Sequence, residues 1–475
     1  MKRLALLAAG AALAAGGLPA RAQQAPWAHP DQPISHSDRI YAAEQFSNTV
    51  SVSDPVDNRL VGVIRLGDPQ PMNFSPLYKG QVLVHGMGFS PDGKTLAIVS
   101  IGSNSVTFID TATNTVKHTT YVGRSPHEAF FRPDGKAVWV TVRGEDYVSV
   151  IDPTTFEETA RVKTPGGPGM TIFSPDGKYA YVCSSFNPKT VVFDASTLKQ
   201  VGEVEQPSPF CPNIAASPDG KQVWFTLKDI GKTVAFSAVP PFQVLKTLDT
   251  GPITNHVNFA VVGGQQLAYV SVGGLNQVKV FRTSDFSPVA TIAVGALPHG
   301  VWPSSDGSRI YVGLENDDRM GVIDTKTNKV VATIPIGQAP QAIAFVSGAG
   351  ATGDADTSLS QLGVAGNAVH LSLSDGQADR TSVTLFDQGL VQIVQASVTG
   401  VAPKKPYFLA LADSPKGGHL QPLAKFMSNP AGSAIVNATG PIRQLLQDAP
   451  ADGRRWLVIT EDTGNGPGKV LQTQK

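Results

Sequence analysis

Four histidines fall on one recurring sequence position. Aligned on the residue that follows a loop proline, or whatever replaces that proline, the chain gives His85, His127, Gly169, Asn213, His256, His299 and Gln341. Successive steps are 42, 42, 44, 43, 43 and 42 residues. The chain holds nine histidines in all, so scatter would not readily place four of them there. Imidazoles that converge are good ligands for copper, zinc or iron, and they carry protons near neutral pH. A copper or other transition-metal ion on His85, His127, His256 and His299 is therefore one expectation. The plainer alternative is that these rings only bond neighbouring backbone. Glu128 and Glu315 add acids, and Arg143 and Lys228 add cations, at positions the repeat brings to the same face. With Asn213 and Gln341 they would frame a pocket for a polar or anionic ligand; the bland counterpart is solvated loop charge.

Other chemistries lack their signatures. No Gly-x-Ser-x-Gly sits in a strand-to-helix context, so a hydrolase elbow is not indicated. There is no Cys-x-x-Cys-His for covalent haem and no glycine-rich phosphate loop. Asn316, Asp317 and Asp318 form an acidic tip without the alternating ligand pattern of a calcium loop. Lys plus Arg and Asp plus Glu each number 38, and no basic run stands out, which argues against nucleic-acid binding.

The histidine position belongs to a unit that recurs from about residue 40 to residue 346. Each unit reads as four short strands, A to D. In the first complete unit these are Gly86 to Ser90, Thr95 to Ser100, Ser105 to Asp110 and Val116 to Val122. Between A and B lies Ser90-Pro91-Asp92-Gly93-Lys94, repeated around Asp134, Asp176, Asp219 and Asp306. Proline presets φ, aspartate caps the turn and glycine takes the positive φ before strand B. The fifth unit has Val262-Gly263-Gly264 in its place. Arg39 to Ala43, Asn48 to Ser53 and Leu60 to Leu66 read as B, C and D without an A. Gln341 to Val346 reads as an A with nothing after it. Joined, they make a seventh unit. A period of ~40–45 residues with four strands per unit predicts an all-β, seven-bladed β-propeller closed by both chain ends. Strand A would line the central channel, and the aligned residues would meet at one mouth.

Phe46-Ser47-Asn48-Thr49-Val50-Ser51-Val52, the Ser-Pro-Asp-Gly-Lys turns and the runs Tyr181-Val182 and Tyr311-Val312 resemble the YVTN-type β-propeller family. The resemblance covers roughly residues 39 to 346. It implies a periplasmic or surface binding protein, and related propellers host lactonases, haem d1 proteins and copper enzymes.

Outside the repeat, Lys2 and Arg3, the apolar run Leu4 to Leu18 and Ala20-Arg21-Ala22 read as a cleaved signal peptide over residues 1–22. The run is shorter than the ~20 residues a membrane span needs, and no later stretch is long and apolar enough. The expected location is periplasmic or secreted. Residues 347–361 are small and polar and read as a linker. Residues 362–475 read as a small β-rich, sandwich-like domain, with Pro422 to Met427 and Ile442 to Leu446 as short helical turns. Cys183 ends strand B of the third unit and Cys211 precedes strand A of the next. Both lie on the histidine face, and a disulfide between them is expected, the rival readings being buried small apolar residues or a redox-active copper ligand.

The leading expectation for function is an exported propeller that binds a small molecule or a protein partner at its histidine-rich mouth. A histidine-ligated metal oxidoreductase is the first alternative. A lactonase-like hydrolase, using acid and amide groups at the mouth, is the second.

Overall fold

The computed structural model describes residues 32–67, 82–350, 357–388, 391–440, 442 and 453–475. The expected signal segment, 1–22, lies outside them. Six four-stranded antiparallel sheets follow one another along the chain. Blade 1 consists of Val84–Phe89, Thr95–Ser100, Ser105–Asp110 and Thr115–Tyr121. Blades 2 to 6 open with Pro126–Phe131, Pro168–Phe173, Ile214–Ala216, Thr254–Val262 and Pro298–Pro303. In blade 7 the late strand Pro340–Val346 pairs antiparallel with the early strand Arg39–Glu44, and Thr49–Asp54 and Arg59–Arg65 complete it. Its first strand packs between those of blades 6 and 1, so the ring closes and leaves no open face between first and last blades.

The strand sequences explain the layering. Inner strands such as Pro126–Phe131 and Val138–Val142 are buried along their whole length, whereas fourth strands such as Glu158–Lys163 alternate between exposed and covered positions. Aromatic residues on second strands bridge to the next blade. Trp139 meets Phe173, Tyr181 meets Phe236 and Trp224 meets Phe259, edge to face at 5.4–5.8 Å. The Asp-Gly turns form as their chemistry dictates. Asp92 Oδ1 accepts from Ser90 Oγ at 2.5 Å and from Lys94 N at 3.1 Å, and Gly93 takes φ of 70°. Gly263 and Gly264 both have positive φ, so the divergent fifth unit still makes a tight hairpin.

The C-terminal part departs from the expected sandwich. It is one eight-stranded antiparallel sheet, in the order Gly417–Met427, Pro406–Ser414, Trp456–Asp462, Pro467–Gln474, Ala368–Ser374, Asp379–Gln388, Val391–Val398, Ala434–Gly440. The two outer strands come back beside each other, so the sheet curls into a nearly closed barrel around Leu373, Leu385, Val394, Leu409 and Ile459. A single curled sheet encloses its apolar face without a second layer. The helical turn expected at 422–427 is strand, and Pro422 is accommodated at a register shift opposite Ala410. The second expected turn, 442–446, lies outside the described residues except for Ile442. The linker reading covers 351–356, which also lie outside them. Its described end is packed on blade 7. Ser360 pairs with Val63, and Leu359 occupies the space beside Gly62. Among the described residues, no helix is long and apolar enough to cross a membrane.

Candidate functional site

The histidines enter the channel on the first strands of four blades. His85 and His127 stand 4.4 Å apart between ring centroids, His256 and His299 4.6 Å, and His85 and His299 6.3 Å. The glycine after a histidine makes this approach possible. A Cβ on Gly86 would collide with the His127 carbonyl and the Glu128 carboxylate, and one on Gly300 would collide with the Gln341 carbonyl. Hydroxyls on the second strands hold the first strands in register. Thr141 Oγ1 donates to the Gly169 carbonyl at 3.0 Å and Ser271 Oγ to the His299 carbonyl at 2.6 Å.

Each ring is buried, and its neighbours set its state. His127 Nδ1 lies 2.8 Å from the Gly169 carbonyl, and His299 Nδ1 lies 2.8 Å from the Gln341 carbonyl. A carbonyl only accepts, so Nδ1 carries the proton and Nε2 presents a lone pair. His85 Nδ1 and His256 Nε2 are buried without a hydrogen-bond partner among the described residues. Burial pushes both His85 and His256 down to about 3; Arg143 and Lys228 act the same way on His85. Burial also holds His127 and His299 well below the ordinary imidazole range. At neutral pH the site holds four neutral imidazoles.

Arg143, Lys228 and Glu315 each follow the second strand of their blade: Val138–Val142, Gln222–Leu227 and Arg309–Leu314. The Arg143 guanidinium sits 5.6 Å from the Phe186 ring centre and 5.4 Å from that of Phe210. Its Nε is buried and unpartnered among the described residues. Burial lowers Lys228, with Glu315 opposing and Arg143 assisting. Glu315 is raised by burial, against Lys228 and the Gln341 and Gln395 amides. Glu128 points below the mouth. Its Oε2 accepts from Met87 N at 3.2 Å, and burial raises it to about 8. Asn213 is committed to packing, with Nδ2 3.1 Å from Met170 Sδ and Oδ1 accepting from Val257 N at 2.9 Å. Gln341 Nε2 donates to the Ala339 carbonyl at 3.1 Å. Below the rings, Met87, Glu128, Asn213 and His256 help line a cavity of about 20 Å³, enough for one water-sized occupant.

The structure thus brings His85, His127, His256, His299, Arg143, Lys228 and Glu315 to one mouth. It does not gather four imidazoles into one coordination sphere. The only metal-like set in the channel, among the described residues, is His85, His127 and Glu128. Cys183 and Cys211 are joined in a disulfide, with Cα atoms 6.0 Å apart.

Two contributions escaped the sequence reading. One is Gln395 of the C-terminal barrel, whose Nε2 donates to Glu315 Oε1 at 2.6 Å and reaches Asn316 Oδ1 at 3.2 Å. The barrel therefore roofs the mouth. No repeat signal reaches residue 395, so the sequence offered no register for it. The other is a set of left-handed residues between second and third strands. Asn104 Oδ1 accepts from Ser125 N, Asn276 from Leu297 N and Asp318 from Ala339 N, at 2.9–3.0 Å. Asn48 accepts likewise from Leu83 N at 2.8 Å. Each acceptor has φ of 53–56° and fixes the backbone two residues before His85, His127, His299 or Gln341. Asn in a short polar step between strand runs was the available signal.

With this geometry in place, the comparisons with known proteins fix the fold. Residues 109–345 match the family described as "Lactonase, 7-bladed beta-propeller". Two solved structures agree. Kuenenia stuttgartiensis hydrazine synthase is similar at 20% identity and a TM-score of 0.51, over 57% of this chain and 92% of that one. A functionally unknown protein from Desulfotomaculum acetoxidans is similar at 14% identity and a TM-score of 0.55, over 65% of this chain and 98% of that one. No curated protein matches the chain. At such identities the likeness speaks for the propeller and leaves its chemistry to the residues.

Proposed function

We propose that the mouth of the channel, roofed by the C-terminal barrel, binds a small anionic ligand of the carboxylate or hydroxy-acid class. Charge balance is the observation that carries this. Arg143 and Lys228 stand beside four neutral imidazoles, and the Lys228 ammonium makes no hydrogen bond or close ion pair among the described residues. Glu315, the carboxylate that acts on Lys228, has Oε1 engaged by Gln395, and Glu128 is turned below the rings to Met87 N, so neither closes an ion pair with the two cations. An anion would give the guanidinium a planar partner and the ammonium a point charge, in surroundings that strengthen both. The reading includes export, which rests on the residue pattern of 1–22 and on the paired cysteines. Isothermal titration calorimetry with gluconate, malonate and citrate tests it. One ligand per chain is expected, weakened at least about tenfold by Arg143→Ala or Lys228→Met, a loss of about 1.4 kcal/mol. If none of the three binds, or if both variants bind as the parent does, the reading fails.

A second reading, lactone hydrolysis, is favoured by the family match over 109–345 and by the free Nε2 lone pairs of His127 and His299. A neutral imidazole there can take a proton from water as the cations steady the developing oxyanion. Turnover of gluconolactone followed in a pH-stat, and lost in His127→Ala and His299→Ala, would support it. Turnover indifferent to those changes and to Glu128→Gln and Glu315→Gln would remove it.

A further inference from the structure

We infer that the channel carries a transition-metal site built from His85, His127 and Glu128, below the anion pocket. The ligand atoms of these three buried residues lie within 4.8 Å of one another. Donors sharing one ion tetrahedrally at bonds of about 2.0–2.2 Å stand about 3.3–3.6 Å apart, so closure asks the three side chains to draw together by at most about 1.5 Å. The second half of the argument is what surrounds the donors. The Gly169 carbonyl holds His127 by Nδ1, the outer-shell bond that orients a ligating imidazole and leaves Nε2 for the ion. Met87 N anchors the Glu128 carboxylate in the same way. His85 Nδ1 has no hydrogen bond of normal geometry among the described residues, though the His127 backbone acts on the ring, so His85 is the least firmly held of the three donors. Two imidazoles and a carboxylate with open positions suit a first-row dication such as Zn²⁺ or Fe²⁺. The other imidazole pair lies outside this set: His299 is 6.3 Å from His85 between centroids.

The same geometry couples the ion to the anion. Arg143 and Lys228 act electrostatically on His85, so they also repel a dication placed there. A bound anion between them would offset that repulsion and complete the ion's sphere from the mouth side. Each should then tighten the other by the same factor. This coupling rests on the proposed function; the three-donor site does not.

The test uses full-length protein stripped by chelation and titrated with Co²⁺ alone, read by visible d–d absorption and metal analysis. One Co²⁺ per chain is expected, with bands lost or affinity reduced at least about tenfold in His127→Ala and Glu128→Gln. Thermal melts of the variants check that they fold, and His85→Ala supplies an independent ligand change. His36→Ala is expected to keep the bands, since His36, Asp54 and Asp57 form a separate metal-like cluster among the described residues, with His36 and Asp57 exposed. Malonate is expected to shift the bands and tighten Co²⁺, and Arg143→Ala to abolish that response while Co²⁺ still binds. Failure to take up Co²⁺, uptake unchanged in Glu128→Gln and His127→Ala, or loss of the bands in His36→Ala would each overturn the site. Anion binding by calorimetry without Co²⁺ uptake removes the metal site alone. Co²⁺ bands indifferent to every anion keep the three-donor site and remove the coupling, and the absence of anion binding by calorimetry removes the anion reading.

Discussion

Arg143 shows how much a single side chain here depends on its setting. Its guanidinium is held against Phe186 and Phe210, which fixes the plane it offers to the mouth. Lysine would keep the charge but lose the plane and the paired donors. Arg143→Lys is therefore expected to weaken anion binding at least about tenfold, about 1.4 kcal/mol, with little change in melting temperature. Calorimetry beside a thermal melt separates the two; retention of full affinity would mean that charge alone suffices. Gly86 makes the opposite case, where the absence of a side chain is what matters. Gly86→Ala must displace the His127 carbonyl or Glu128, and overpacking of this kind costs roughly 1–3 kcal/mol. Chemical denaturation measures that cost.

Elements carried most of what the sequence disclosed. The turn centred on Asp92 and Gly93 recurs with chemistry that admits few alternatives, so blade number and register were readable before any coordinates. So was the convergence of His85, His127, His256 and His299, because a repeat projects equal positions onto equal places. In the C-terminal part the β-rich character was readable, but its closure into one curled barrel was not. That part has no period, its Pro422 suggested a break where a register shift accommodates it, and Gln395 meets Glu315 only across some 80 residues of chain. The asparagine clamps lay between these extremes, visible as residues but silent as contacts. Asn276→Ala removes the bond to Leu297 N and places a Cβ residue poorly suited to φ of 55°. A loss of about 1–3 kcal/mol is expected. Asn276→Gly, which suits the backbone but lacks the acceptor, should recover only part of it in urea unfolding. The disulfide works at the same scale, tying the end of one second strand to the start of the next blade across 28 residues. Cys183→Ser with Cys211→Ser should lower stability by about 2–4 kcal/mol, measured against the oxidised parent.

At the scale of the whole molecule, two buried acids sit where blade 7, blade 6 and the C-terminal barrel meet. Burial raises Glu44 to about 7 and Asp318 to about 8. Asp318 Oδ1 accepts from Ala339 N, while Oδ2 has no hydrogen bond and faces His370 Nε2 of the barrel at 3.5 Å. Burial lowers His370, so it carries no charge in the range where Asp318 ionises and cannot repay that ionisation. Glu44, Asp317 and Glu315 nearby add to the cost. The sign follows from proton counting. Below about pH 4 both acids are protonated in folded and unfolded chains alike. Between about pH 4 and the folded values near 7 and 8, the folded chain keeps protons that the unfolded chain releases. Stability therefore falls as pH rises through that window, by at most about 1.4 kcal/mol per pH unit for each proton, and levels off above it. Asp318→Asn installs the residue that Asn48, Asn104 and Asn276 already supply at the equivalent clamp. It should keep the bond to Ala339 N while removing the titration. Melting temperatures recorded from pH 5 to pH 9 should fall for the parent and fall less for Asp318→Asn, with the variant the more stable of the two at pH 9. If the two curves run parallel, the acid at this junction is not the group that makes the assembly of propeller and barrel sensitive to pH.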